Sequence, residues 1–326
     1  MRKTTMSGIV ILLSFMIISC NKIEEDEQWG GGEFSKETVL SLSTYINNTY
    51  VSMPSFDEPA SSRSAENNSI SQFNAGQSIG IYGTGGEVGI LYENKKEYAN
   101  IKSTFDGDNW NMEKKLILHY DPVTLFAYYP YNDTIADGKA IPIDIKKQID
   151  YMYGTHDKEQ PKINVENPFV RIVMRHAMSQ LQFNIKKDIL TVPVRLTKIE
   201  IRGTGEKGIK TKGTYDCQTG KIQEEGDFGC ISISDAGINI PYIYDERNIR
   251  RMIVMPTVIE NTGDIKLVLT INGQEYEYAV PATTWRQGQR NIYNIIYRAG
   301  EVIVDSVSIN TWQDGGDIIL PDLTAD

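Results

Sequence analysis

The sequence predicts an all-β protein whose body is two antiparallel sandwich domains. Three features carry that expectation. From Thr38 onward apolar residues recur with a period of two rather than 3.6; an Asn-Gly pair separates two alternating segments; and the body has no long capped stretch with a helical apolar stripe. The 326 residues, 40% hydrophobic and 23% charged, suffice for two domains with proper cores.

The chain begins with residues 1–19. Arg2 and Lys3 form a basic start and Ile9–Ile18 a short apolar core, below the roughly 20 residues that span a bilayer, so the segment reads as a signal peptide. Ile17-Ile18-Ser19-Cys20 resembles a bacterial lipobox, which makes Cys20 the expected lipidated first residue of the mature chain. Removing Met1–Ser19 takes away two cations and no acid. The remaining, more acidic chain would be repelled by an anionic membrane surface, so attachment is expected through acyl chains. Residues 20–35, with Glu24-Glu25-Asp26-Glu27 and Gly30-Gly31-Gly32, cannot build a core and read as a tether.

Residues 36–166 form the first expected sandwich. Val39, Leu40, Leu42 and Ile46 mark a strand-like stretch; Leu116, Leu118 and Tyr120 alternate, as do Val123, Leu125, Ala127 and Tyr129. The polar, weakly periodic segment 136–167, with Asp157–Pro161 as a loop, sets the division at Asn167. Residues 167–326 form the second sandwich. Leu181, Phe183 and Ile185 alternate, followed by Ile199 and Ile201. Ile265, Leu267, Leu269 and Ile271 run into Asn272-Gly273 and then Tyr276, Tyr278 and Val280, a hairpin. Ile292, Asn294 and Ile296 precede Val302, Val304, Val307 and Ile309. Alternation of this kind implies sheets with one buried face.

A formal charge of −10 argues against a nucleic-acid partner, which needs a basic footprint. His119, His156 and His176 are far apart in sequence and fit no metal or catalytic spacing, and no nucleophile elbow occurs. The expectation is therefore a non-enzyme without metal or cofactor. Gly203-Thr204-Gly205-Glu206-Lys207-Gly208 has dinucleotide-motif spacing, but β-branched residues rather than a helix follow, so it reads as a hairpin loop. With Cys20 taken by lipid, Cys217 and Cys230 fit either a disulfide within one hairpin or two separate thiols.

Several separated segments resemble the Bacteroidetes fimbrillin family, the type V pilins, and its fimbrillin-like lipoproteins. They are Phe73–Tyr82, Leu125–Tyr131, Met152–Thr155, His176–Leu181, Gly213–Asp216 with Thr219-Gly220, Trp285–Gly288, Tyr293 and Tyr297, and Val307–Trp312. Tyr293-Asn294-Ile295 departs from the commoner Tyr-x-Tyr. Acids behind Cys20 also resemble the surface-export signal of Bacteroidetes lipoproteins.

The resemblance implies two transthyretin-like β-sandwich domains, an outer-membrane lipoprotein precursor, and assembly into or onto a fimbria with other subunits. It further implies cleavage by a trypsin-like protease after an arginine beyond the first strand, then refilling of the groove by another subunit's terminal strand. Arg63, in a polar loop of small residues, is the candidate cut site. Ile318, Leu320 and Leu323, behind Gly315-Gly316, are candidate donor-strand anchors; alternatively the tail is the last strand of its own domain. The function expected is that of a structural or accessory fimbrial subunit serving adhesion, with a host or bacterial surface receptor. The alternative is a non-polymerising surface lipoprotein that binds carbohydrate, using some of its 18 Tyr and four Trp as a stacking platform.

Overall fold

Alternating apolar residues produce strands almost throughout. The computed structural model describes residues 37–46, 72–188, 193–205, 207–298 and 300–312. The first half holds Ser41–Ile46 (β1), Ser78–Thr84 (β2), Ile101–Phe105 (β3), Trp110–Met112 (β4), Thr124–Tyr129 (β5), Ile141–Asp144 (β6), Met152–His156 (β7) and Phe169–His176 (β8). Then follow Ser179–Lys187 (β9), Arg195–Gly203 (β10), Ile209–Tyr215 (β11), Ile222–Gly229 (β12), Ile231–Asn239 (β13) and Arg250–Val254 (β14). Thr257–Ile259 (β15), Ile265–Ile271 (β16), Gln274–Ala279 (β17), Thr283–Trp285 (β18), Gln289–Arg298 (β19) and Glu301–Thr311 (β20) complete the set. The helical content of the described residues is four three-residue 3₁₀ turns.

A seven-stranded sheet runs β1-β8-β7-β5-β2-β3-β4, and a three-stranded one β12-β11-β6. Two four-stranded sheets, β13-β10-β16-β17 and β14-β9-β19-β20, and the pair β15-β18 make up the rest. Two pairings depart from the antiparallel expectation: β1 with β8 and β9 with β19 run parallel. In both, the partners are distant in sequence, so no tight hairpin dictates their direction.

The alternation of β2 and β5 divides two cores. Ile79, Ile81, Leu125 and Ala127 face one with Leu40, Leu42 and Ile46; Tyr82, Phe126 and Tyr128 face the other, with Ile141, Ile143, Phe183 and Leu269. The strand after Asn167, β8, adds to the seven-stranded sheet, and the chain reaches β9 through Ala177-Met178.

The Asn272-Gly273 hairpin is as expected, with both residues at positive φ (51° and 83°) and Ile271 opposite Gln274. Three other readings need correction. Gly203–Gly208 joins β10 to β11, strands of different sheets, and so is a turn between sheets rather than a hairpin loop. Among the described residues the Leu116–Tyr120 run forms a single bridge, Val39 opposite Ile117, and Tyr120 is exposed. In β19 the core-facing residues are Tyr293 and Ile295, not Ile292 and Ile296; the alternate set Arg290, Ile292, Asn294 and Ile296 mixes polar with apolar residues and is itself buried or half-buried, so apolarity does not mark the phase of this strand. The break in spacing between Val304 and Val307 is a bulge, with Val304 opposite Ile295 and Ser306 opposite Asn294.

Candidate functional site

β1 is seated between two partners that come from later in the chain. On one side it pairs in parallel with β8, from Ser41 opposite Phe169 to Ile46 opposite Met174, and the Ser41 N–H donates to the Pro168 carbonyl at 2.8 Å. On the other, the Leu40 N–H donates to Leu116 O at 3.0 Å and the Leu118 N–H to Thr38 O at 2.9 Å. Leu40, Leu42 and Ile46 are buried in the core between them. At about 1.5–3 kcal/mol for each buried aliphatic side chain, these three contribute about 5–9 kcal/mol of apolar burial.

Beyond Leu40 no strand among the described residues pairs with the far side of β1. β1 and β4 are the two edges of the seven-stranded sheet, and the Trp110 indole N–H bridges them by donating to Thr44 Oγ1 at 3.0 Å. Around that bond lies a cavity of about 420 Å³ lined by Thr44, Tyr45, Ile46, Phe73, Phe105 and Trp110. Phe73 meets Trp110 edge-on at 5.0 Å, and Phe105 lies 5.3 Å from the same ring. On the solvent side Arg171 of β8 stacks over Tyr45 and pairs with Asp157 at 2.9 Å. The Asp157 carboxyl is held below its usual range, first by the Glu159 N–H and then by Arg171. Burial pushes the neighbouring His156 imidazole below its ordinary value.

Cys20, Arg63, Ile318, Leu320 and Leu323 lie outside the described residues. Cys217 and Cys230 are two free thiols. Cys217 is buried in the core, which raises its pKa, while Cys230 is exposed between β12 and β13. The histidines go to separate partners: His119 to Glu93 at 3.3 Å, His156 to Thr155 Oγ1 at 3.4 Å, and His176 to Asp150 at 3.0 Å. Among the described residues no group of three or more His, Cys, Asp or Glu could hold a metal. Trp110, Trp285 and Trp312 are buried, so none of the described tryptophans offers an exposed stacking face.

Sequence reasoning missed the Trp110–Thr44 bridge and the Gln148 side chain. The Gln148 amide accepts from the Ile253 N–H at 2.8 Å and donates to the Ile253 carbonyl at 3.0 Å, occupying the edge of β14 as another strand would. No local signal announces either contact, since the partners are 66 and 105 residues apart.

Residues 63–312 match the model of the fimbrillin-like family. The chain belongs to that family. Over 260 residues this fimbrillin-like chain is 25% identical to a Bacteroides uniformis protein described as the fimbrium subunit Fim1C, covering 74% of the chain and 79% of that relative. Its fold is shared with a B. uniformis protein described as a cell adhesion protein (TM-score 0.61, 20% identity, 85% of this chain and 99% of that one). The same holds for a Bacteroides ovatus protein described in the same words (0.60, 16%, 86% and 99%) and a Bacteroides vulgatus fimbrial protein (0.51, 14%, 84% and 99%). At those identities the likeness to solved structures concerns the fold alone.

Proposed function

We propose that this fimbrillin-like protein is a structural or accessory subunit of an adhesive cell-surface fimbria that assembles by strand exchange. The precursor is held at the outer membrane by lipid on Cys20. Cleavage after Arg63 releases the segment containing β1, and the C-terminal segment of another subunit takes its place, with Ile318, Leu320 and Leu323 as anchors.

The observation that supports this reading is the seating of β1. Residues 38–46, on the N-terminal side of Arg63, supply three buried side chains and bond to residues 116–118 and 168–174 of the remaining chain. Their departure would bare an apolar trough flanked by unpaired backbone groups, which an extended segment from another chain can refill. The test is limited trypsin-like digestion of the purified precursor, followed by mass analysis. Cleavage after Arg63 and a ladder of oligomers are expected, and Arg63→Ala should abolish both. Equal assembly by Arg63→Ala would overturn the maturation step.

A further inference from the structure

The end of the last strand is tied to the first half of the chain through one ring stack. His176 closes β8, and Asp150 lies two residues before β7, whose Met152 is opposite His176. The His176 Nδ1–H donates to the Asp150 carboxylate, with both oxygens at 3.0 Å, and the two side chains are 3% and 0% exposed. Trp312, the residue after β20, lies flat on that imidazole, with ring centroids 4.3 Å apart and planes 3° from parallel. His176 Nε2 makes no hydrogen bond among the described residues, so the Nδ1 bond to Asp150 is the polar contact that orients the ring.

The backbone around the stack draws the same segments together. The Trp312 N–H donates to Gly288 O at 2.8 Å, and the Gly288 N–H to Met178 O at 2.9 Å. The Gln287 amide donates to the carbonyls of Ala177 and Gly220 at 3.1 and 2.9 Å. The end of β20 is thereby fastened where the chain passes from β8 to β9. By contrast, residues 305–311 of β20 are exposed and, among the described residues, pair on one side, with β19; Val307 and Ile309 are 45% and 50% exposed. A strand end held only by such a ladder frays readily. After Trp312 come Gln313-Asp314-Gly315-Gly316-Asp317, with no apolar side chain before Ile318.

We infer that His176, oriented by Asp150, is the positioning residue for the end of β20: it holds Trp312 flat and couples that end to the β7–β8 pair. A role for this anchor in assembly rests on the strand-exchange reading, but the anchor itself is a property of a single copy. Without the imidazole the end of β20 should open locally while the rest of the fold keeps its protection.

Hydrogen–deuterium exchange on the isolated, monomeric chain tests this. In His176→Ala the peptide covering Ser308–Trp312 should exchange about tenfold faster, equivalent to about 1.4 kcal/mol of local opening. Protection in β9 and β16 should change only by the factor that denaturant unfolding gives for the whole fold. His176→Phe, which restores a flat ring, should recover most of the protection at Trp312; Asp150→Asn, which keeps an acceptor, should lie between. Should His176→Ala fail to fold, His176→Phe against Trp312→Leu gives the same contrast of ring kept against ring lost. Unchanged exchange at Ser308–Trp312, or acceleration equal to the global factor, overturns the inference. Strand exchange plays no part in this measurement, so a failure to assemble leaves its result standing.

Discussion

β1 and β6 are both edge strands, and they end their sheets in opposite ways. β6 is closed to newcomers: Pro142 brings no N–H, and the Asp144 N–H is taken by the Tyr151 hydroxyl at 3.0 Å. β14 is closed similarly by the Gln148 amide. β1, by contrast, is laddered along its whole length to β8, with the residues just before it bonded to 116–118 and Leu40, Leu42 and Ile46 buried beneath. The difference is that of an all-β chain that blocks strand addition at some edges while seating an early strand against a later one at another.

The largest effect should come from removing β1 altogether. A chain beginning at Ser64 loses about 5–9 kcal/mol of apolar burial, comparable to the whole stability of many domains. Its first core should expose apolar surface and unfold at much lower denaturant. A chain that keeps its parent's unfolding midpoint would break the contrast. Next in size, Leu42→Ala should cost about 2–4 kcal/mol by the same unfolding measurement, because the cavity would lie in a packed core. An effect below about 1 kcal/mol would show that β1 is loosely seated.

Gln148→Ala should cost about 1–2 kcal/mol by leaving Ile253 backbone groups unsatisfied. It should also promote self-association by sedimentation, since it opens the β14 edge; a strictly monomeric variant would mean that this edge needs no plug. The smallest effect concerns pH. Burial lowers the folded-state pKa of His156. The unfolded chain therefore binds more protons below about pH 6.5, and the stability associated with neutral His156 is lost as pH falls through that range. His156→Gln should flatten the stability profile there, and an unchanged slope would assign the acid sensitivity elsewhere.

Much of the fold was legible because half-buried strands write their face in alternate residues, as β16 and β17 do. The turn at Asn272-Gly273 was legible because few residues tolerate positive φ in succession. Legibility failed where apolar and polar residues mix outside the core-facing set, as in β19, and where a glycine run joins separate sheets, as at Gly203–Gly208. Strand direction was hidden too, since Leu40, Leu42 and Ile46 would alternate identically in a parallel or an antiparallel pair. The closing contacts, Thr44 with Trp110 and His176 with Trp312, depend on long-range topology and leave no trace in local spacing.

The most direct measurement mixes the Ser64-initiated chain with a peptide spanning Gln313–Asp326 and follows complex formation by native mass spectrometry and amide exchange. A one-to-one complex with renewed protection at residues 116–118 and 168–174, which the full-length precursor does not form, is the expected result. No complex, or equal binding to precursor and trimmed chain, would contradict strand exchange at the β1 seat.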